Sequence, residues 1–136
     1  MKKTVFIAAL ALSSSAFAAS ETKMTIMINS GEAMTQGAAL VLGNSMLDRG
    51  ASVNFLLCDK AGSLALKDAQ APVLKPLNKS PVQLLQEAMD KGASAQVCAL
   101  YLPNVGKTPA DLAEDITPAK PPKIAEDMLK HGVLVF

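Results

Sequence analysis

The sequence predicts an α/β domain of three layers, a mostly parallel sheet of about five strands held between helices. Three observations carry this. Apolar runs of strand length alternate with segments of helical period, the pattern of a parallel sheet with crossover helices. The runs MTIMIN (24–29) and SVNFLLC (52–58) are apolar on both alternating sets, as strands covered on both faces must be. Glycine and proline stand where crossover helices should stop and start, at Gly50, Pro81, Gly92 and Pro121.

Taken in order, the first strand covers 24–29 and turns at Asn29-Ser30-Gly31. A helix is predicted over 32–49, with Met34 and Val41, and Leu40 and Leu47, seven apart and so on a shared face. The second strand is 52–58. The stretch 60–79 is less regular, with a short helix expected at 61–67. Ser80-Pro81-Val82-Gln83 has the form of a capping box with proline at the first helical position, opening a helix that runs to Lys91. A third strand is expected over 94–101 (SAQVCALY), then a helix start at Thr108-Pro109-Ala110-Asp111 running to about Glu114, and a brief strand near 115–117. The last helix ends at Lys130, and GVLVF (132–136) closes the sheet. Right-handed crossovers are nearly obligatory in such a chain. The whole reads as a small three-layer, flavodoxin-like domain.

The N-terminus has the form of a secretory signal peptide. Lys2 and Lys3 make a positive start, Val5 to Leu12 an apolar core, and Ala16-Phe17-Ala18 a small-x-small cleavage pattern. The apolar run is far shorter than the ~20 residues a spanning helix needs. The expectation is cleavage after Ala18, a periplasmic location, a mature form without a membrane segment, and one domain over 19–136. Of 136 residues, 13 are basic and 12 acidic, for a net charge of +1, and tryptophan is absent. Neither a phosphate-binding charge excess nor stacking platforms are present, so nucleic acid is not an expected partner.

In open parallel sheets ligands bind beyond the carboxyl ends of the strands. Asn29, Ser30 and Gly31 leave the first strand there, with backbone N–H groups suited to an anion. Cys58 ends the second strand, and Cys98 and Tyr101 lie late in the third. The two cysteines, in an oxidising compartment, have a disulfide as one reading. The usual doubly wound orders, however, put strand one between strands two and three. That separates the cysteines by roughly 10 Å, beyond the ~7 Å limit of a disulfide. Two thiols are therefore expected, Cys98 reactive and Cys58 closer to an inert, small apolar residue. His131, the one histidine, reads as a partner for the last helix's C-terminal dipole. Lys120 and Lys123, among the prolines of 118–123, read as a solvated helix entry. Five of the seven methionines (Met24, Met34, Met46, Met89 and Met128) are placed at core-facing positions. Methionine and cysteine together also admit a Cu(I) reading. There is no CxxC pair and no glycine-rich phosphate fingerprint. No cofactor or resident metal is called for.

The run VCALYLPNVGKTPADLAEDITPAKPPKIAEDMLKHGVLVF (97–136) resembles the C-terminal half of the DsrE/DsrF/TusD-like sulfur-relay family. Members have a cysteine late in the third strand, a variable loop, a short helix opened by a T-x-x-D-type start, then a last helix and strand. The first half is similar too, with a polar turn after strand one, a long helix ending in Asp48-Arg49-Gly50, and FLLCDKAGSLAL at 55–66. The resemblance implies a small parallel α/β domain in which Cys98 accepts sulfane sulfur as a persulfide and passes it to a partner. Cys58 would be a second thiol. It also implies homo-oligomers, trimers or hexamers, and a sulfur donor or acceptor protein. The chain departs from the cytoplasmic relay members in its export signal and in the apolar Ala99, Leu100 and Leu102 after Cys98, where Leu100 and Leu102 are candidate interface residues. The competing functions are a non-enzymatic binding or assembly module on the same fold, and a Cu(I)-binding protein.

Overall fold

The computed structural model describes residues 21 to 136. The expected signal peptide and cleavage site lie outside the described residues. Five parallel strands form one sheet in the order β4-β3-β2-β1-β5: β1 (Lys23–Ile28), β2 (Ser52–Leu57), β3 (Ser94–Val97), β4 (Thr117–Pro118) and β5 (Gly132–Val135). From β1 the chain steps in one direction to β4, then returns across the sheet to place β5 beside β1. With crossovers of one hand, this return requires a change of face. The helices α1 (Ala33–Leu47) and α2 (Pro81–Asp90) accordingly pack together over one face, and α4 (Pro121–Lys130) covers the other, following the short α3 (Tyr101–Asn104).

The larger core lies under α1 and α2 and is built from Ile26, Ile28, Val53, Phe55, Leu57 and Val97 of the sheet with Leu40, Leu84 and Leu85 of the helices. The alternate residues Met27 and Leu56, with Cys58 and Cys98 just past their strands, join Ile124 and Met128 of α4 in a second, smaller core. This two-sided burial explains the continuous apolar runs.

The α1 face that meets the sheet is not its most apolar one. Its buried residues are Gln36, Gly37, Ala39, Leu40, Gly43 and Asn44. A Cβ added at Gly43 would lie 2.8 Å from Phe55 Cε1 and 3.1 Å from Ile26 Cδ1, so glycine there allows the helix to sit close on the sheet. Asn44 donates its amide to the Leu84 carbonyl of α2 at 3.0 Å. Met34, expected at a core position, is 80% exposed, and Val41 is exposed as well. Of the two seven-residue pairs, Leu40 and Leu47 do face the larger core, whereas Met34 and Val41 mark the outer side, and small residues that permit close approach fill much of the inner one. Met46, Met89 and Met128 are packed against the cores as expected, and Met24 lies against Gly132.

The capping box at the start of α2 is formed. Gln83 N–H donates to Ser80 Oγ at 3.3 Å, and Ser80 N–H donates to Gln83 Oε1 at 2.9 Å. The helix expected from Thr108 to Glu114 is only a 3-10 turn at Pro109–Asp111. Beyond it Ala113 N–H donates to the Ala65 carbonyl at 2.8 Å, so the chain turns back along a neighbouring segment instead of coiling. The expected helix at 61–67 is a 3-10 helix at Asp59–Ala65. No helix among the described residues is long and apolar enough to cross a membrane.

Candidate functional site: a cysteine pair at the carboxyl edge

The register of β2 and β3 decides the site. Asn54 pairs with Ser94 and Leu57 with Val97, an offset of 40 that carries one residue further to Cys58 and Cys98. Both ladders extend past the strands: Cys58 N–H donates to the Ile28 carbonyl at 2.9 Å, and Cys98 N–H to the Leu57 carbonyl at 2.8 Å. The two Cα atoms are 4.9 Å apart and the side chains form a disulfide. The expectation of two separated thiols is thus corrected. Its premise was a first strand between the second and third, whereas β2 itself lies between β1 and β3. One strand spacing, not two, separates the cysteines, and that falls within the range a disulfide spans.

The third strand stops at Val97, not at residue 101. The Cys98 carbonyl accepts from Tyr101 N–H at 2.9 Å, and the chain turns into the four-residue helix α3. Tyr101 therefore stands beyond the strand end, bordering the same cleft as the cysteines. Its ring lies against Gly62, where an added Cβ would be 2.6 Å from Tyr101 Cε2. Burial, and secondarily the Asp68 carboxylate, pushes the Tyr101 phenol above its ordinary 10.0, so the group stays an O–H donor across the physiological range.

Around the pair opens a cleft of about 620 Å³, lined by Met27, Cys58, Asp59, Lys60, Cys98, Leu100, Tyr101, Asn104 and Val105. Its walls are mainly apolar, with Lys60 as the cation and Asp59 as the carboxylate. Asp59 has φ 45°, in the left-handed region uncommon for any residue but glycine, asparagine and aspartate. It follows Cys58 directly and turns the chain out of the strand. The cysteines differ in access: Cys58 is 6% exposed, whereas Cys98 is half-buried.

Of the sequence-predicted site residues, the cleft unites Cys58, Cys98 and Tyr101. Asn29, Ser30 and Gly31 sit beside it without lining it. Gly31 packs on the Lys60 stem, where a Cβ would be 2.9 Å from Lys60 Cβ. Ser30 Oγ accepts from Glu32 N–H at 3.0 Å, and Asn29 N–H donates to the Phe136 carbonyl at 2.7 Å. Leu100 is 76% exposed at the mouth, but Leu102 is buried in the larger core and is not available to an interface. Sequence reading missed Asp59, Lys60 and Gly62. The signal that was present is DKAG directly after Cys58, a charged pair and a glycine at the end of an apolar strand. A second, smaller cleft of about 260 Å³ opens at the opposite end of the strands, where His131 lies near Lys123 and Asp127. Lys120 and Lys123 are exposed at the helix entry as expected, and Lys123 also pairs with Asp127.

No protein-family profile matches the chain. No curated protein sequence matches it. Solved structures do. The YchN protein of E. coli superposes with a TM-score of 0.72 at 17% identity, covering 85% of this chain and 99% of its own. MTH1491 of Methanobacterium thermoautotrophicum, described as a protein of unknown function, superposes with a TM-score of 0.63 at 10% identity, covering 85% of this chain and 100% of its own. At such identities the likeness is one of fold, and the described domain corresponds to the whole of each neighbour. The chain therefore shares with both the three-layer, flavodoxin-like parallel α/β fold that its sequence implied.

Proposed function

We propose that this chain is a sulfur-handling protein of the DsrE/DsrF/TusD-like family, in which Cys98 carries sulfane sulfur as a persulfide and Cys58 is its resolving partner. The observation that supports this reading most is the half-buried Cys98 at the carboxyl edge, in an apolar cleft with a cation and a second sulfur beside it. In the reduced protein the Cys98 thiolate attacks the outer sulfur of a donor persulfide. A new S–S bond forms, the donor leaves as its thiolate, and Cys98 becomes Cys98–S–S⁻ once the proton is lost. The mainly apolar walls reduce the water around the terminal sulfur, and the Lys60 ammonium favours its anionic form against the Asp59 carboxylate on the same wall. Delivery to an acceptor thiolate is the same exchange in reverse; where no acceptor arrives, the Cys58 thiolate attacks Cys98 Sγ, hydrosulfide leaves, and the bridge closes with the persulfide itself as the oxidant.

The test is intact mass of the reduced protein before and after polysulfide, with alkylation to map the added sulfur. We expect one sulfur per chain, on Cys98. Wild-type uptake by a Cys98→Ser protein would end this reading. The reading also includes export, supported by the pattern at residues 1 to 18, and homo-oligomers with a donor or acceptor protein as partner. Support for assembly comes from α1, which carries no charged residue and leaves Met34, Val41 and Leu42 exposed, with Val73 and Leu77 exposed nearby.

One observation favours a second reading, a binding or assembly module with inert cysteines. The Cys58–Cys98 bridge joins neighbouring strands and would serve equally as a staple. Under this reading the native bridge resists mild reductants, and removing both cysteines changes stability without changing any partner interaction.

A further inference from the structure

A disulfide at this position is an oxidant as well as a link, and its two sulfurs are not equivalent. Cys58 is buried in the core beneath α4, while Cys98 is half-buried and borders the cleft. A nucleophile entering the cleft reaches Cys98 more readily, and access is one of the factors that decide which sulfur of a disulfide is attacked. The mouth, with Leu100, Val105 and Tyr101, is apolar, and its wall carries one cation, Lys60, and one carboxylate, Asp59. Hydrosulfide is small enough to reach Cys98 Sγ through such a cleft, whereas glutathione, a bulky thiol with charged ends, must desolvate those charges against apolar walls.

We propose that the bridged protein is opened directly by hydrosulfide, so that the site oxidises sulfide to sulfane sulfur instead of only receiving sulfur already at that level. The proposal rests on the carrier reading for the fate of the product. In the step, a lone pair of HS⁻ forms an S–S bond to Cys98 Sγ. The Cys98–Cys58 bond breaks, and its electron pair leaves on Cys58 as a thiolate. The products are Cys98–S–SH, or its anion once the proton is lost, and Cys58–S⁻. The bridge is reduced by two electrons and the hydrosulfide sulfur is oxidised by two, so no further oxidant enters this half-reaction. The protein's own disulfide is the co-reactant, and each chain performs one such turn until the bridge is restored.

The experiment uses bridged wild-type protein and equimolar sodium sulfide without oxygen, followed by alkylation, intact mass and peptide mapping. The expected result is a chain heavier by the mass of one H₂S before alkylation, with the extra sulfur on Cys98 and a free thiol at Cys58. Opening should be faster than with glutathione at equal concentration, and slower in Lys60→Gln. A bridge left intact under conditions in which sulfide opens oxidised glutathione in the same vessel overturns the proposal, as does an extra sulfur on Cys58. Reduced protein with polysulfide runs in parallel. If that arm loads Cys98 while hydrosulfide leaves the bridge untouched, the carrier reading stands and this inference alone falls. If that arm fails, the carrier reading falls. A Cys58→Ser protein, which has no bridge to act as oxidant, should take sulfur from polysulfide and none from hydrosulfide. Sulfur gained from hydrosulfide by that variant would also overturn the proposal.

Discussion

Tyr101 owes its place to a residue that never touches sulfur. Its ring rests on Gly62, so a methyl group at position 62 must push the ring away. Gly62→Ala should therefore open the cleft over Cys98 and raise its rate of reaction with a thiol reagent after reduction, and should destabilise the fold by about 1–3 kcal/mol through overpacking. Stopped-flow labelling and urea denaturation would check the two effects separately. The phenol offers a second probe, because Tyr101 is the one tyrosine in a chain without tryptophan. Its ultraviolet titration should fall above the ordinary 10.0, chiefly because burial disfavours the phenolate. A pKa raised by folding stabilises the native state below the unfolded value and loses that contribution as pH rises through the folded one. Tyr101→Phe should remove part of the alkaline loss of stability, leaving the part due to Lys91 and Lys123, whose pKa values are also raised, each first by a hydrogen bond to an aspartate.

Among the elements, α1 and α2 show opposite relations between sequence and packing. The start of α2 is written in local chemistry: Ser80, Pro81 and Gln83 specify the cap without help from the rest of the molecule. Ser80→Ala should cost about 1 kcal/mol in urea denaturation, as loss of a helix cap does. The inner face of α1 depends on what lies beneath it. Gly43→Ala is favourable by helix propensity alone, by up to ~1 kcal/mol, yet the new methyl meets Phe55 and Ile26. We expect net destabilisation, and a stabilised variant would show that the helix can lift from the sheet at little cost. The charged cluster on α2, which reaches the end of α1 only through the Lys91–Asp48 pair, is weaker. Lys79 and Lys91 hold Glu87 below its usual carboxylate range, the Lys79 hydrogen bond contributing most. That contribution is present above the unfolded pKa and fades as pH falls through the folded one. Because the pair is partly exposed, Glu87→Gln should change stability by no more than about 1 kcal/mol, and less in high salt.

For the molecule as a whole, the bridge joins residues 40 apart in sequence and closes the loop containing α2. In the chain-entropy view, reduction should lower stability by about 2–4 kcal/mol, read as a shift in the urea midpoint between oxidised and reduced protein. No change would mean that the β2–β3 ladder restrains the same segment equally well. If the exposed face of α1 mediates the proposed assembly, Val41→Glu should reduce the sedimentation coefficient to that of a single chain. The return crossover also has a consequence for the site. Two helices, α1 and α2, cover one face of the sheet, whereas α4 alone covers the other, which leaves room at the carboxyl edge for the cleft beside the cysteines.

The class of the fold was legible in the residues alone, since strands apolar on both faces need cover on both faces, and helix caps and stops act over a few residues. Cys58, Cys98 and Tyr101 stood out as candidates in the same way, because strand ends in a parallel sheet are where ligands are met. Strand order was not legible, because it is set by long-range packing. Local pattern is the same whether β2 lies beside β3 or on the far side of β1, yet that choice separates two distant thiols from a disulfide. The inner face of α1 and the seat of Tyr101 likewise emerged only from close packing against glycine, a residue whose role depends on what its missing side chain makes room for.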